Sequence, residues 1–325
     1  SNFIVQGSIL AIASIIVRLI GLVYRIPLTN VIGDEGMGYY SYAYEPYAVM
    51  LLLSYHGLPT AVSKLVAEKN GEGRYRSSYR VFKTGMWLAV VIGAITGALL
   101  WFGADFIAGT LNHQPMSSYA LKVLGPTLFI LSIMGILRGY FQGTGTMVPT
   151  AVSQILEAVV NAIISVVAAT ILFTEGKKFD LVTGTKSFAE AYGAAGGTLG
   201  TCAGALAALL FLLFVYSIYK RVIRKQIRRD RVKEMESYKK IIRLLFLISA
   251  PIVLSSIIMN IGTFVDAAIF SRIMQGTFKI PKETVAASWG IFTNKYKILI
   301  MVPVAIATAL ATSIVPDFSE EMAAG

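Results

Sequence analysis

Charge is what this sequence has least of. Asp, Glu, Lys and Arg make up 14% of its 325 residues, where an ordinary water-soluble domain carries roughly 25%. So few ionised side chains cannot cover a soluble body of this length, and that class is excluded. Cysteine is reduced to Cys202, in an apolar Ala/Gly-rich segment; it can form no internal disulfide and reads as a small packing residue. There are two histidines, His56 and His113, and no His/Cys/Asp group has the spacing of a metal site. A Gly-rich phosphate loop of the ATPase type is also missing. Nothing in the chain is an enzyme signature, and no cofactor is expected beyond a coupling ion, H⁺ or Na⁺.

What the chain has is apolar length. It is 55% hydrophobic with a mean hydropathy of +0.67. Eight apolar segments stand out, at about 3–32, 36–61, 81–108, 118–140, 146–173, 192–219, 241–274 and 284–316. Runs of about 20 apolar residues between short polar loops are transmembrane helices; barrel strands would be shorter and alternating. The expectation is an all-α, polytopic helical membrane protein.

The loops sort by charge. Lys64, Lys69, Arg74, Arg76, Arg80 and Lys83 follow the second segment, and "KRVIRKQIRRDRVKEMESYKK" at 220–240 follows the sixth. A fourth–fifth loop is taken to begin at Arg138. The intervening loops, "GDEG" at 33–36, "NHQP" at 112–115, 174–191 and "QGTFKIPKE" at 275–283, are poorer in Lys and Arg. Basic loops stay in the cytoplasm, which places the N-terminus there and the protein in the cytoplasmic membrane. This pattern also accounts for most of the formal net charge of +11 without nucleic acid as a partner; membrane lipids and a monomeric chain are expected instead. The organisation is then residues 1–219 as a six-helix lobe, 220–240 as a basic linker forming an amphipathic surface helix, and 241–325 as two helices opening a second lobe. Two helices are too few for a lobe, so a longer protein is expected.

Polar groups inside the apolar segments are the functional candidates, because a charge at mid-bilayer costs roughly 2.5–3.5 kcal/mol on insertion scales. "IIVRLIGLVYRIPL" at 15–28 holds Arg18 and Arg25, seven residues and about two turns apart on one face. Glu45, before Pro46, is a partner for an arginine of the first helix. Gln154, Glu157 and Asn161 form one stripe of the fifth helix. Asn260, Thr263 and Asp266 make a polar path in the seventh. In the eighth, Asn294 and Lys295 are assigned to a central cavity; Lys297 lies about 200° from Lys295 and faces elsewhere. Arg18, Arg25 and Lys295 outweigh the unpaired acids, so the cavity attracts an anion such as a lipid diphosphate.

Three stretches carry a family resemblance: "VRLIGLVYRIPLTNVIGDEGMGYYSYAY", "GLPTAVSKLVAEKNGEGRY" and "LRGYFQGTGTMVPTAVSQILEAVVN", with "ISAPIVLSSIIMNIGTFVDAAIFSRIM" after the linker. Together they resemble the oligosaccharidyl-lipid flippases of the MOP superfamily, nearest to the MurJ-type lipid II flippases and the SpoVB/YtgP-like polysaccharide transporters. The resemblance implies a MATE/MurJ-like fold of two six-helix lobes working by alternating access, with a lipid-linked diphosphate oligosaccharide bound between them. It implies substrate binding by Arg18, Arg25 and Lys295. Lys295 stands where such members have an arginine, keeping the charge but not the planar fork. The second-helix arginine of those members has no counterpart; His56 and Lys64 are the nearest substitutes. A MATE-type cation-coupled drug antiporter is the alternative on the same fold, and a membrane enzyme acting on lipid-linked sugars is the alternative from another class.

Overall fold

A computed structural model describes residues 2–184, 187–230, 236–297, 299 and 300. These fold into ten α-helices: α1 (Asn2–Val23), α2 (Arg25–Leu51), α3 (Gly57–Gly71), α4 (Tyr75–Phe102), the short α5 (Ala104–Phe106), α6 (Ser118–Gly143), α7 (Val148–Thr183), α8 (Phe188–Arg229), α9 (Tyr238–Gly276) and α10 (Lys282–Ile291). Three π-helical turns, Leu52–His56, Ile107–Leu111 and Phe292–Tyr296, extend α2, α5 and α10. Among the described residues, six helical rods are long and apolar enough to cross a membrane: 25–71, 75–102, 115–143, 148–183, 188–228 and 238–276. The expected eighth segment continues past Ile300, and that part lies outside the described residues.

The first two expected segments divide at a glycine. Backbone hydrogen bonds from Tyr24 to Ile20 (3.1 Å) and from Leu28 to Tyr24 (3.2 Å) carry the ladder from α1 into α2. Pro27 brings no N–H to this ladder. The chain turns instead at Gly33, with φ 70° and ψ 179°, a conformation only glycine adopts without strain. The helical course of residues 2–32 therefore runs past the boundary between α1 and α2 and changes direction at Gly33, inside the 25–71 rod.

Packing inside the first lobe relies on small residues. A Cβ on Gly196, Gly200 or Gly204 of α8 would overlap the α7 backbone at Ala168, Ser165 and Glu157. That four-residue spacing makes one smooth stripe and lets the two helices touch closely, as the composition of 192–205 predicts. On its other side α7 presents Ile163 and Ile171, each 57% exposed, an apolar face suited to acyl chains. The core is formed by α2, α3, α4, α6 and α8 around Tyr39, Tyr47, Leu124, Leu128 and Phe141.

The charged loops segregate by end. The Arg76 amide donates to Asp230 Oδ2 at 2.8 Å, and its Nε donates to the Ile227 carbonyl at 3.3 Å. Lys69 Nζ, buried, sits 2.9 Å from Glu68, 3.5 Å from Glu72 and 3.5 Å from Glu236. The two Lys/Arg-rich connections thus lie side by side. At the other end of the helices the poor loops meet: Gln114 Nε2 donates to the Lys282 carbonyl at 3.1 Å and Gln275 Nε2 to the His113 carbonyl at 3.1 Å.

Two expectations about the connections need correction. Residues 220–229 are not a separate helix but the continuation of α8, since nothing in the run breaks the helical ladder; 231–235 lie outside the described residues. Arg138 is not in a loop: α6 continues to Gly143, and the turn is made by "TGT" at 144–146, where Gly145 takes φ 82°.

The chain after the linker packs along the lobe. Gly57 of α3 faces Ser249 and Val253 of α9. Further along, Ala267 of α9, Tyr42 of α2 and Trp289 of α10 form a small cluster. There α10 crosses α2 at Gly38 and Gly290; a Cβ on Gly38 would overlap the Ala286 backbone.

Candidate functional site

Within the first lobe lies a cavity of about 180 Å³. Five tyrosines line it: Tyr24, Tyr40, Tyr44, Tyr47 and Tyr55. Tyr40 and Tyr44 are stacked with centroids 5.9 Å apart, and Tyr47 tilts against Tyr44 at 5.2 Å. "GYYSYAYEPY" thus lines a cavity, because successive turns of one α2 face point Tyr40, Tyr44 and Tyr47 into the lobe. Arg25, Glu157, Asn161 and Thr201 supply the other polar wall. Three of the sequence candidates, Arg25, Glu157 and Asn161, are therefore brought together.

Glu157 is matched by Arg138, the residue the sequence reading had placed in a loop. Arg138 Nη2 is 2.8 Å from Glu157 Oε2, with Arg138 only 5% exposed. Its Nε donates to Ser153 Oγ at 2.9 Å and its Nη1 to the Tyr55 hydroxyl at 2.8 Å. Each of the three guanidinium nitrogens donates one hydrogen bond, which helps to keep a charge in a low-dielectric interior. Tyr55 reaches this position from the π-helical turn Leu52–His56; such turns widen a helix by one residue and re-aim its side chains. On the far side of the stripe, Asn161 Oδ1 accepts from Ser165 Oγ at 2.8 Å. Gln154 Oε1 is buried with no hydrogen-bond partner among the described residues.

Arg25 is held differently. Its Nη1 donates to Asn294 Oδ1 at 3.4 Å, a long bond to a neutral amide. Asn294 Nδ2 lies 3.1 Å from each of Ser41 Oγ, the Gly290 carbonyl and Thr293 Oγ1, three acceptors shared by its two N–H groups, while Ser41 and Thr293 share a hydrogen bond of 2.8 Å. The second π-helical turn, Phe292–Tyr296, carries both Thr293 and Asn294. This polar seam ties α2 to α10 and leaves the Arg25 charge without a carboxylate among the described residues.

The remaining candidates are dispersed. Arg18 is exposed, lies outside the cavity and has no ion pair or hydrogen bond among the described residues. Its distance from the cavity follows from the two helical turns that separate it from Arg25. Lys295 does not share the Arg25 chamber: its Nζ is 2.7 Å from Asp34 Oδ1, with side chains 51% and 32% exposed. Asp34 had been read only as part of an outer loop. Glu45 meets no arginine of the first helix among the described residues; it is half-buried, and the charges near enough to act on it are Lys297 and Asp266. The α2 register that aims the tyrosines at the first helix turns Glu45 towards the later part of the chain. Asn260 is exposed and bonds its own helix, at the Ser256 carbonyl, 2.8 Å away. Asp266 is exposed on α9. Among the described residues no group of three His, Cys, Asp or Glu is placed to hold a metal ion.

An all-helical body with six membrane-length rods and a polar, arginine-bearing interior defines a multi-pass membrane protein. Its fold is that of a multidrug resistance MATE family transporter of the MOP superfamily seen in an inward-facing structure: TM-score 0.68 at 17% identity, over 93% of this chain and 62% of that one. The particular family follows from the sequence match. A model of the polysaccharide biosynthesis protein family matches residues 4–322, and the chain belongs to that family. It is similar to the lipid II flippase MurJ of Bacillus subtilis, 30% identical across all of this chain and 59% of that protein. It is also similar to stage V sporulation protein B of the same organism, 32% identical over 99% of this chain and 59% of that protein. The chain thus spans 59% of the length of each of these two relatives.

Proposed function

We propose that this chain forms the first lobe and the opening of the second in a flippase that carries a lipid-linked diphosphate oligosaccharide, of the lipid II class, across the cytoplasmic membrane. The observation that carries the reading is Arg25: a cation inside the membrane span, at the wall of a cavity, bonded among the described residues to the amide of Asn294 and to no carboxylate. Keeping an unmatched charge there is expensive, and a diphosphate would supply the missing anion through charge-assisted hydrogen bonds. Glu157 does not cancel it, because Glu157 is engaged by Arg138. A carboxylate-led cavity, as a cation antiporter requires, is not what surrounds Arg25.

In this mechanism the seam through Ser41, Thr293 and Asn294 is the contact between lobes that opens when they rock. Diphosphate arriving at Arg25 competes with Asn294 and so weakens that seam. Arg18, exposed two turns away, gives the headgroup a first contact, and Lys295 joins it on leaving Asp34. Glu45, Asp266 and Lys297, near enough to act on one another, are the second set of charges that rearranges between lobes. An H⁺ or Na⁺ gradient is the energy source in the absence of an ATP site. Side-by-side basic connections support a cytoplasmic N-terminus through the positive-inside rule. The test is flipping of a fluorescent lipid-linked diphosphate sugar by the full-length protein in proteoliposomes. Arg25→Ala is expected to lower the rate at least about tenfold with little change in thermal stability; a variant that flips at the parent rate overturns the assignment.

A further inference from the structure

A second cleft, of about 350 Å³, opens between α4 and α9 near the end where the basic connections gather, lined by Lys83, Thr84, Trp87, Tyr238 and Ile242. One wall is apolar: Trp87 is 60% exposed and lies one turn from Lys83. The rim is cationic. The Arg80 guanidinium stacks over the Tyr238 ring, 3.8 Å from its centroid. Its Nε is buried with no hydrogen-bond partner among the described residues. Lys83 Nζ is 5.0 Å from the centre of the Tyr79 ring. Neither cation has a carboxylate within ion-pair distance among the described residues, whereas Lys69 and Lys240 close by share Glu236.

We propose that this cleft binds an anionic phospholipid of the surrounding bilayer, with its phosphate against Arg80 and Lys83 and an acyl chain along Trp87 and Ile242. Charge complementarity selects this occupant. Lys83 lines the cleft and Arg80 lies beside it against Tyr238, both on the first turns of a membrane helix next to an apolar wall, where a cytoplasmic-leaflet headgroup and its chain meet. An exposed tryptophan at that level is itself an interfacial anchor. Because α4 belongs to the first lobe and α9 follows the linker, such a lipid bridges the two parts of the chain. The inference rests on the membrane placement and not on the flippase reading, so its test involves no transport.

The test reconstitutes the full chain in nanodiscs containing dibrominated phosphatidylglycerol or dibrominated phosphatidylcholine. The Trp87 contribution to fluorescence quenching is isolated by comparison with Trp87→Phe. Each near-surface cation is worth roughly a fivefold preference for an anionic lipid. Quenching of Trp87 by phosphatidylglycerol is therefore expected at a mole fraction at least about fivefold lower than by phosphatidylcholine, with the preference lost in the Arg80→Gln/Lys83→Gln double variant. Should the double variant fail to fold, Lys83→Gln alone, at an exposed site, must still reduce the preference. Equal quenching by the two lipids overturns the proposal, as does a preference that survives Lys83→Gln unchanged.

Discussion

Among the described residues, two ion pairs tie distant helices together on opposite terms. Arg138–Glu157 lies inside one lobe. Its arginine is 5% exposed and each guanidinium nitrogen donates a hydrogen bond. Lys295–Asp34 lies on the seam between α2 and α10, with its lysine 51% exposed. Water can replace either partner of the second pair; nothing replaces the first. Arg25 stands between the two regions, lining the cavity of the first while bonded to Asn294 of the seam. The contrast separates charges that hold a bundle together from charges that remain free for a ligand.

Breaking the inner pair should have the largest effect. Arg138→Met leaves Glu157 half-buried at the cavity wall without its partner, and is expected to cost up to about 3 kcal/mol of stability, read as a lowered midpoint in detergent thermal unfolding. Arg138→Met/Glu157→Met should recover most of that loss; a single variant no worse than the double one would show that the pair is not sealed. Next comes the helix crossing. Gly38→Val forces a side chain into the Ala286 backbone, and overpacking of this kind costs about 1–3 kcal/mol. Cross-linking between cysteines placed on α2 and α10 should fall, and unchanged efficiency would contradict the close crossing.

The outer pair should be nearly silent in the same measurement. Asp34→Asn is expected to change stability by less than about 1 kcal/mol, since exposed ion pairs contribute little, while flipping by the full-length protein slows. A stability loss matching that of Arg138→Met would erase the distinction drawn above. The smallest effect is expected outside the membrane, at Glu236. Burial alone would push its carboxyl up, but Lys69 and Lys240 outweigh that and hold it below the ordinary value of 4.5. The stability it contributes is complete above that value and is lost as pH falls through the lowered one. Glu236→Gln should therefore flatten a shallow acid-side decline in the unfolding midpoint; identical pH profiles would remove Glu236 from the account.

Much of this was legible along the chain. Apolar length marked the membrane rods, and "GDEG" marked the turn because only glycine takes the Gly33 backbone without strain. The α7 stripe was visible because Glu157 and Asn161 follow helical spacing. What could not be read was pairing. Glu157 and Arg138 are 19 residues apart, Lys295 and Asp34 261, and Arg25 and Asn294 269. Helical spacing also put Arg18 and Arg25 together, yet only Arg25 of the two lines the cavity, because two helical turns separate them along the axis. The π-helical turns were invisible for a related reason: they are packing adjustments with no composition of their own. A better reading of 138–146 was available, since "TGT" is a stronger turn signal than "RGY", and it would have placed Arg138 inside its helix.

The sequence by itself determined that this is a multi-pass helical membrane protein and how its connections sort by charge. Hydrophobic length and loop charge are sums over neighbouring residues and need no partner to be read. Only the tertiary structure decided which buried cation is neutralised, which is tethered at an exposed seam and which is left with a neutral amide. Those outcomes depend on side chains from distant helices meeting within about 3 Å, a distance that spacing along a single strand of text does not encode.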